Sequence, residues 1–128
     1  MIHLDSSDWV NAEKSLQELR NESDILPEVY VLEAMLKEVK GDHDGAVKAN
    51  QAAIFLDKDF FAPRFRLARI YQNQGHVKKA QKHFEHALKS LGRDSEDRMK
   101  LFCGGASREL LEEICGKSIA DFAFRNAG

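Results

Sequence analysis

Apolar positions recur along this chain at helical spacing. Between 6 and 20, Trp9, Ala12, Leu16 and Leu19 follow one another at steps of three, four and three, one face of a helix. Ser6 or Ser7 can cap its start. The same spacing predicts helices over about 28–40, 44–56, 62–74 and 78–90. The polar run Gly92-Arg93-Asp94-Ser95-Glu96-Asp97 reads as a loop. Leu101-Phe102-Cys103-Gly104-Gly105 is an apolar strip closed by two glycines. Ser107 then caps a helix over 108–115, with Leu110, Leu111 and Ile114 on one face and Gly116 as its stop. Phe122 and Phe124 fall in a tail, 117–128, that either docks or stays flexible.

These helices repeat. Gly41 and Gly75 define one sequence offset, and the same offset links Ala34 to Ala68, Leu36 to Ile70, Ala46 to Ala80 and Ala53 to Ala87. It also carries Ala12 onto Ala46. Small side chains let helix axes approach closely, and glycine accepts the left-handed turn that ends a first helix. A period of about 34 residues with small side chains at fixed sites resembles the tetratricopeptide (TPR) repeat. In 61–91, Leu67, Ala68, Tyr71, Gly75, Ala80, Phe84 and Ala87 fall where that pattern wants them, with Arg64 in place of the usual Trp. The unit 27–57 is looser. It keeps Tyr30, Ala34, Gly41, Ala46 and Ala53, with Glu33, Lys37 and Asn50 at sites usually apolar. The resemblance implies an all-α fold: a TPR-like solenoid of antiparallel helix pairs over 1–116, with 107–116 as a C-terminal cap. The 6–20 helix falls in register with second helices, so its partner is missing or degenerate. That register implies the end of something longer or an unusual cap.

Composition changes this picture little. The chain has 128 residues, 43% of them hydrophobic and 31% charged, with net charge −2. Two prolines and long Ala/Leu/Lys/Glu stretches favour helices. Near-balanced charge argues against a general nucleic-acid binder, which needs clustered excess Lys and Arg. No run of about 18 apolar residues predicts a membrane span. Met1-Ile2-His3-Leu4-Asp5 lacks the marks of a secretory signal. Two cysteines are too few for a disulfide framework. The cytoplasm is the expected location.

The chemistry-bearing residues form no catalytic constellation. Gly41-Asp42-His43-Asp44-Gly45 is a helix-to-helix turn, unlike the strand-to-helix junction that cradles phosphate. His83 and His86 sit three apart on one helix and could in principle share a metal, but zinc needs further ligands and none is adjacent, so they read as surface or packing residues. Cys103 has no His–Asp or His–Asn arrangement beside it, so it reads, like Cys115, as a packed thiol. No cofactor is expected in the chain, and no enzymatic role.

Binding remains. In a TPR array the first helix of each pair lines the concave side. Helical phase sends Val31, Met35 and Glu38 there from the first pair, and Phe65, Arg69, Gln72 and Asn73 from the second, with Arg66 beside them. An apolar strip flanked by guanidiniums and amides suits an extended or helical peptide with one apolar anchor and one carboxylate. The alternative puts Met35 and Phe65 in the core and leaves the arginines to solubilise the face. Co-chaperone TPR domains use Lys and Asn at such sites, and this groove departs from that set.

Two stretches narrow the resemblance. Residues 50–63, N-Q-A-A-I-F-L-D-K-D-F-F-A-P, and 66–75, R-L-A-R-I-Y-Q-N-Q-G, resemble the "A-I-x-L-D-P-D-F" link and its sequel in TPR arms of bacterial chemotaxis-receptor methyltransferases. Lys58 stands where the link often has Pro. Residues 101–115, L-F-C-G-G-A-S-R-E-L-L-E-E-I-C, resemble the "C-G-G-x-S-R-E-x-L-x-x-I-C" ending of those arms in gliding and Wsp-like systems. The resemblance covers about residues 45–116. It implies a parent enzyme that methylates receptor glutamates with S-adenosylmethionine, and a non-catalytic regulatory arm here. The arm would dock a methyl-accepting receptor, another chemosensory protein or its own catalytic domain. Self-association through uncovered helix-pair ends or the tail phenylalanines is the competing expectation, as in a generic TPR scaffold or adaptor unrelated to chemotaxis.

Overall fold

Two glycine turns, one in each helix pair, organise the helices on either side of them. Gly41 and Gly75 have φ of 81° and 80°. At each, the following N–H reaches back across the turn, Asp42 to the Lys37 carbonyl at 2.8 Å and His76 to the Tyr71 carbonyl at 2.9 Å. The glycine N–H groups bond to the carbonyls of Glu38 and Gln72. This is the glycine-terminated helix end, in which the left-handed residue lets the chain reverse while the last carbonyls stay satisfied. A second helix follows each turn after one residue. Asp42 caps the first of them by accepting from the Gly45 N–H at 2.9 Å. That bond holds the Asp42 carboxyl below the usual range against the opposing effect of desolvation, with Lys37 helping.

The computed structural model describes Lys14 and residues 26–127. The expected 6–20 helix lies outside the described residues apart from Lys14, as does the Phe124 side chain. The described residues form six helices: α1 (Pro27–Val39), α2 (His43–Leu56), α3 (Phe61–Asn73), α4 (Val77–Leu91), α5 (Glu96–Phe102) and α6 (Arg108–Ala127). The fold is all-α, and consecutive helices pack as pairs, α1 with α2 and α3 with α4. The chain divides into two units, Ile2–Lys58 and Asp59–Gly128. Among the described residues no helix is long and apolar enough to cross a membrane.

In the first unit the repeated alanines do what their size permits. Ala34, Ala46 and Ala53 are fully buried. Val29 and Leu36 cluster with Leu32. Asn50 is fully buried too, and among the described residues neither of its amide atoms has a hydrogen-bond partner.

In the second unit Ala68, Ala80 and Ala87 take the equivalent buried places beside Leu67 and Phe84. Aromatic rings fill the rest. Phe61 stacks on Phe65 at 5.3 Å, Phe65 meets Phe84 edge-on at 6.1 Å, and Phe84 meets Phe122 at 6.1 Å. The last contact brings α6 onto α4, which it packs against.

Three sequence expectations change here. The polar run 92–97 is not a loop throughout: Ser95 accepts from the Arg98 N–H at 3.1 Å and starts α5. The strip Leu101–Phe102 belongs to that short helix, whose Met99 and Phe102 are buried. Ser107 does cap the last helix, accepting from Leu110. Gly116, however, does not end it, and the helix runs through the expected tail to Ala127. A glycine inside a helix costs about 1 kcal/mol, and burial of Cys115 and Phe122 on either side of it offsets that cost.

The segment that departs most from a solvated loop holds Asp94, only 6% exposed. Its Oδ2 accepts from the Phe61 N–H at 2.9 Å. Its Oδ1 accepts from the Ser95 N–H at 2.8 Å and from Arg98 Nε at 2.7 Å, with Nη2 at 2.6 Å. Phe60, the residue before α3, offers no side-chain cap, so Asp94 supplies one from beyond the end of α4. Removing one partner of a buried, bonded charge leaves the other uncompensated. Asp94→Ala is therefore expected to cost about 3 kcal/mol, read as a lower urea midpoint with an unchanged native helical signal.

Candidate functional site

The sequence-predicted site residues fall into different environments. Val31 and Met35 are buried, at 0% and 7% exposed, so they offer no apolar surface to a partner. Their phase along α1 is the inward one, as the alternative reading of Met35 has it. Glu38, a turn further on, is half-buried. Those three belong to the first unit, and the remaining five lie on α3 in the second.

On α3 the five form a graded surface. Phe65 is half-buried, its ring lying on Phe61 and against Phe84. Arg69 is exposed and sets its guanidinium 5.7 Å from the centre of the Phe65 ring. That is a cation–π contact at an exposed site. Gln72 and Asn73 are exposed one turn beyond. Arg66 is half-buried, and its charge reaches Cys103. The face that remains open is the Phe65 edge, Arg69 and two amides. It can hold a carboxylate and a short apolar contact.

The thiols carry no sign of activation. Burial pushes Cys103 up to about 11, against the pull of Arg66. Burial also pushes Cys115 up to about 12, with Cys103 adding to it. Reactive cysteines sit in settings that lower the thiol pKa. Among the described residues no group of three or more His, Cys, Asp and Glu side chains is arranged to hold a metal.

Another side of the α3–α4 pair carries a feature that spacing alone did not reveal. Arg64 Nη1 lies 3.2 Å from His86 Nδ1. A guanidinium only donates, so Nδ1 accepts and the neutral ring keeps its proton on Nε2. His83 stacks on Tyr71 at 5.4 Å, with His86 6.5 Å away. Lys79 Nζ stands 5.4 Å from the Tyr71 ring centre. Burial is the main cause that lowers His83 to about 4, with His86, Arg64, Lys82 and Lys79 adding repulsion. Burial also lowers His86, with Arg64, Lys82 and Lys89 adding to it and Glu85 opposing. Among the described residues the buried Nδ1 of His83 has no hydrogen-bond partner.

The helix pairs define an all-α protein built from paired helices. Comparison with models of known protein families, with curated proteins and with solved structures finds no match.

The depressed His83 value makes a prediction about acid. From 6.5 down to about 4 the folded chain binds fewer protons at His83 than the unfolded chain does. This contribution to stability is complete above the ordinary histidine value and is lost as pH falls through that window. The denaturation midpoint of the native sequence is expected to drop on acidification across it. His83→Gln is expected to show a shallower drop, isolating this residue from the carboxylates that titrate nearby.

Proposed function

We propose that this chain is a non-catalytic protein-docking module of the TPR type. In this reading it serves as the regulatory arm of a chemotaxis-receptor glutamate methyltransferase that uses S-adenosylmethionine elsewhere. The observation that carries the repeat reading is the register of the helices. α1 and α3 begin at Pro27 and Phe61, and α2 and α4 at His43 and Val77, with one offset common to both pairs. The left-handed glycines, Gly41 and Gly75, keep that same offset. The chemosensory assignment rests on the resemblance of 50–75 and 101–115 to the methyltransferase arms.

The partner is a peptide or helix of a methyl-accepting receptor or another chemosensory protein. The α3 face is its seat: Arg69 takes a carboxylate, Gln72 and Asn73 take backbone groups, and the Phe65 edge meets a small apolar side chain. Arg binds carboxylates in a planar, two-pronged geometry, so charge reversal there both removes an attraction and adds a repulsion. The first-unit residues Val31 and Met35 contribute packing instead of contact in this reading.

A second reading, a self-associating adaptor outside chemotaxis, has an observation of its own. Phe55 is 84% exposed at the end of α2, with Leu56 also exposed beside it. A mass that grows with concentration and collapses to the monomer in Phe55→Ser would favour it.

Arg69→Glu decides the first reading. Binding to cytoplasmic receptor fragments is expected to weaken about tenfold or more, the loss typical of one partner of a close charge pair. The circular dichroism of the variant is expected to match the parent. Unchanged binding across the receptors and signalling proteins encoded beside the parent gene would rule out the α3 face.

A further inference from the structure

The charge of this protein is segregated. Residues 61–91 hold seven Lys and Arg and one acid, Glu85, in a chain whose net charge is −2. Glu85 accepts from Gln81 Nε2 at 3.5 Å, so that carboxylate is shared. Cations and rings alternate along one side of the α3–α4 pair: Lys79 over Tyr71, Tyr71 on His83, His83 beside His86, His86 against Arg64. Lys82 is exposed next to this line, and its charge bears on both imidazoles. Asp59 bears on Arg64 at one end of this line and Glu85 on His86; among Lys79, Lys82 and the imidazoles, an added anion relieves the mutual repulsion of the cations.

We propose that this strip, from Lys79 across Tyr71, His83 and His86 to Arg64 with Lys82 at its side, is a docking site for an acidic peptide segment. Lysine and arginine hold its carboxylates, and the two imidazoles supply further donors to them. The chemistry favours a peptide over a nucleic acid. Single-stranded nucleic acid binding relies on exposed rings on which bases stack. Tyr71 is buried, with Lys79 over its ring and His83 stacked on it, so it leaves no face for a base. The strip lies apart from the Phe65–Arg69 face of α3, and its test does not depend on the function proposed for that face.

The test uses the whole chain and a fluorescein-labelled octaglutamate peptide, followed by anisotropy at low salt. Binding is expected to weaken as salt rises. Lys82→Glu is expected to weaken it about fivefold to tenfold, the effect of reversing one exposed charge at a binding rim. Lys100→Glu makes the same change in net charge on α5 and is expected to leave binding as it was. On saturation with the peptide, the imidazole titration of His83, followed by NMR, is expected to move up from about 4. Three results would overturn the proposal: no binding at low salt, equal losses in Lys82→Glu and Lys100→Glu, or preferential binding of an octauridylate.

Discussion

One carboxylate holds the second unit together. Asp94 reaches the first N–H of α3, the first N–H after itself and the guanidinium of Arg98. Arg98 in turn lies 3.9 Å from the centre of the Phe60 ring, the residue that precedes α3. Arg108 adds the other end: its guanidinium bonds to the carbonyls of Leu91 and Asp94. The start of α3, the end of α4, the first turns of α5 and the start of α6 are thereby tied at one place. Helix ends carry unsatisfied backbone groups, and buried ones require partners. Here those partners are two charged side chains, Asp94 for the N–H groups and Arg108 for the carbonyls, with Arg98 holding the Asp94 carboxylate in place. The direction in which α3 presents Arg69 and Phe65 follows from this anchor, because the residue before its N-terminal turn supplies no side-chain cap.

How much of this the sequence revealed depends on whether a residue's role is local. Gly41 and Gly75 were legible because a left-handed helix end is a property of a few consecutive residues. The buried alanines were legible because close packing leaves a size signature at a fixed offset. Ser107 was legible as a cap for the same local reason. Asp94 was not. A short polar run looks like a solvated loop, and nothing local shows that its acid will cap a helix two elements back in the chain. Gly116 misled in the opposite way. Its local signal is a stop, yet the apolar residues beyond it, led by Phe122, gain more from packing on Phe84 than the glycine loses. The α1 site residues show a third limit. Val31 and Met35 have the spacing of a binding strip, but an apolar residue on a paired helix has two possible neighbours, its partner helix or solvent. Spacing alone does not choose between them. In the folded chain both are buried.

The histidines show what pair packing adds to a motif search. His83 and His86 read from sequence as surface or packing residues, since only their mutual spacing was visible and it offered no more than half of a metal site. Their real neighbours come from α3: Tyr71 beneath one, Arg64 against the other. Those neighbours oppose a metal. A guanidinium bonded to His86 Nδ1 occupies that nitrogen, and the surrounding lysines repel a cation. What disfavours a metal ion at this place favours an anion, and that electrostatic fact motivates the proposed acidic ligand.

The core also explains why such charge can gather there. The α3–α4 pair is held by fully buried alanines, Leu67 and a run of phenylalanine rings, all on the inward side. Helix formation asks little of the outward positions beyond good helix formers, and lysine and arginine serve. Folding therefore leaves the outer composition free, and a mixture of both signs would be the lower-energy choice, since opposite charges at neighbouring turns stabilise a helix. The pair instead sets Lys78, Lys82 and Lys89 along α4 with Glu85 as their sole acidic companion in 61–91. A run of like charge placed where the core does not require it is what motivates the proposed ligand of opposite charge.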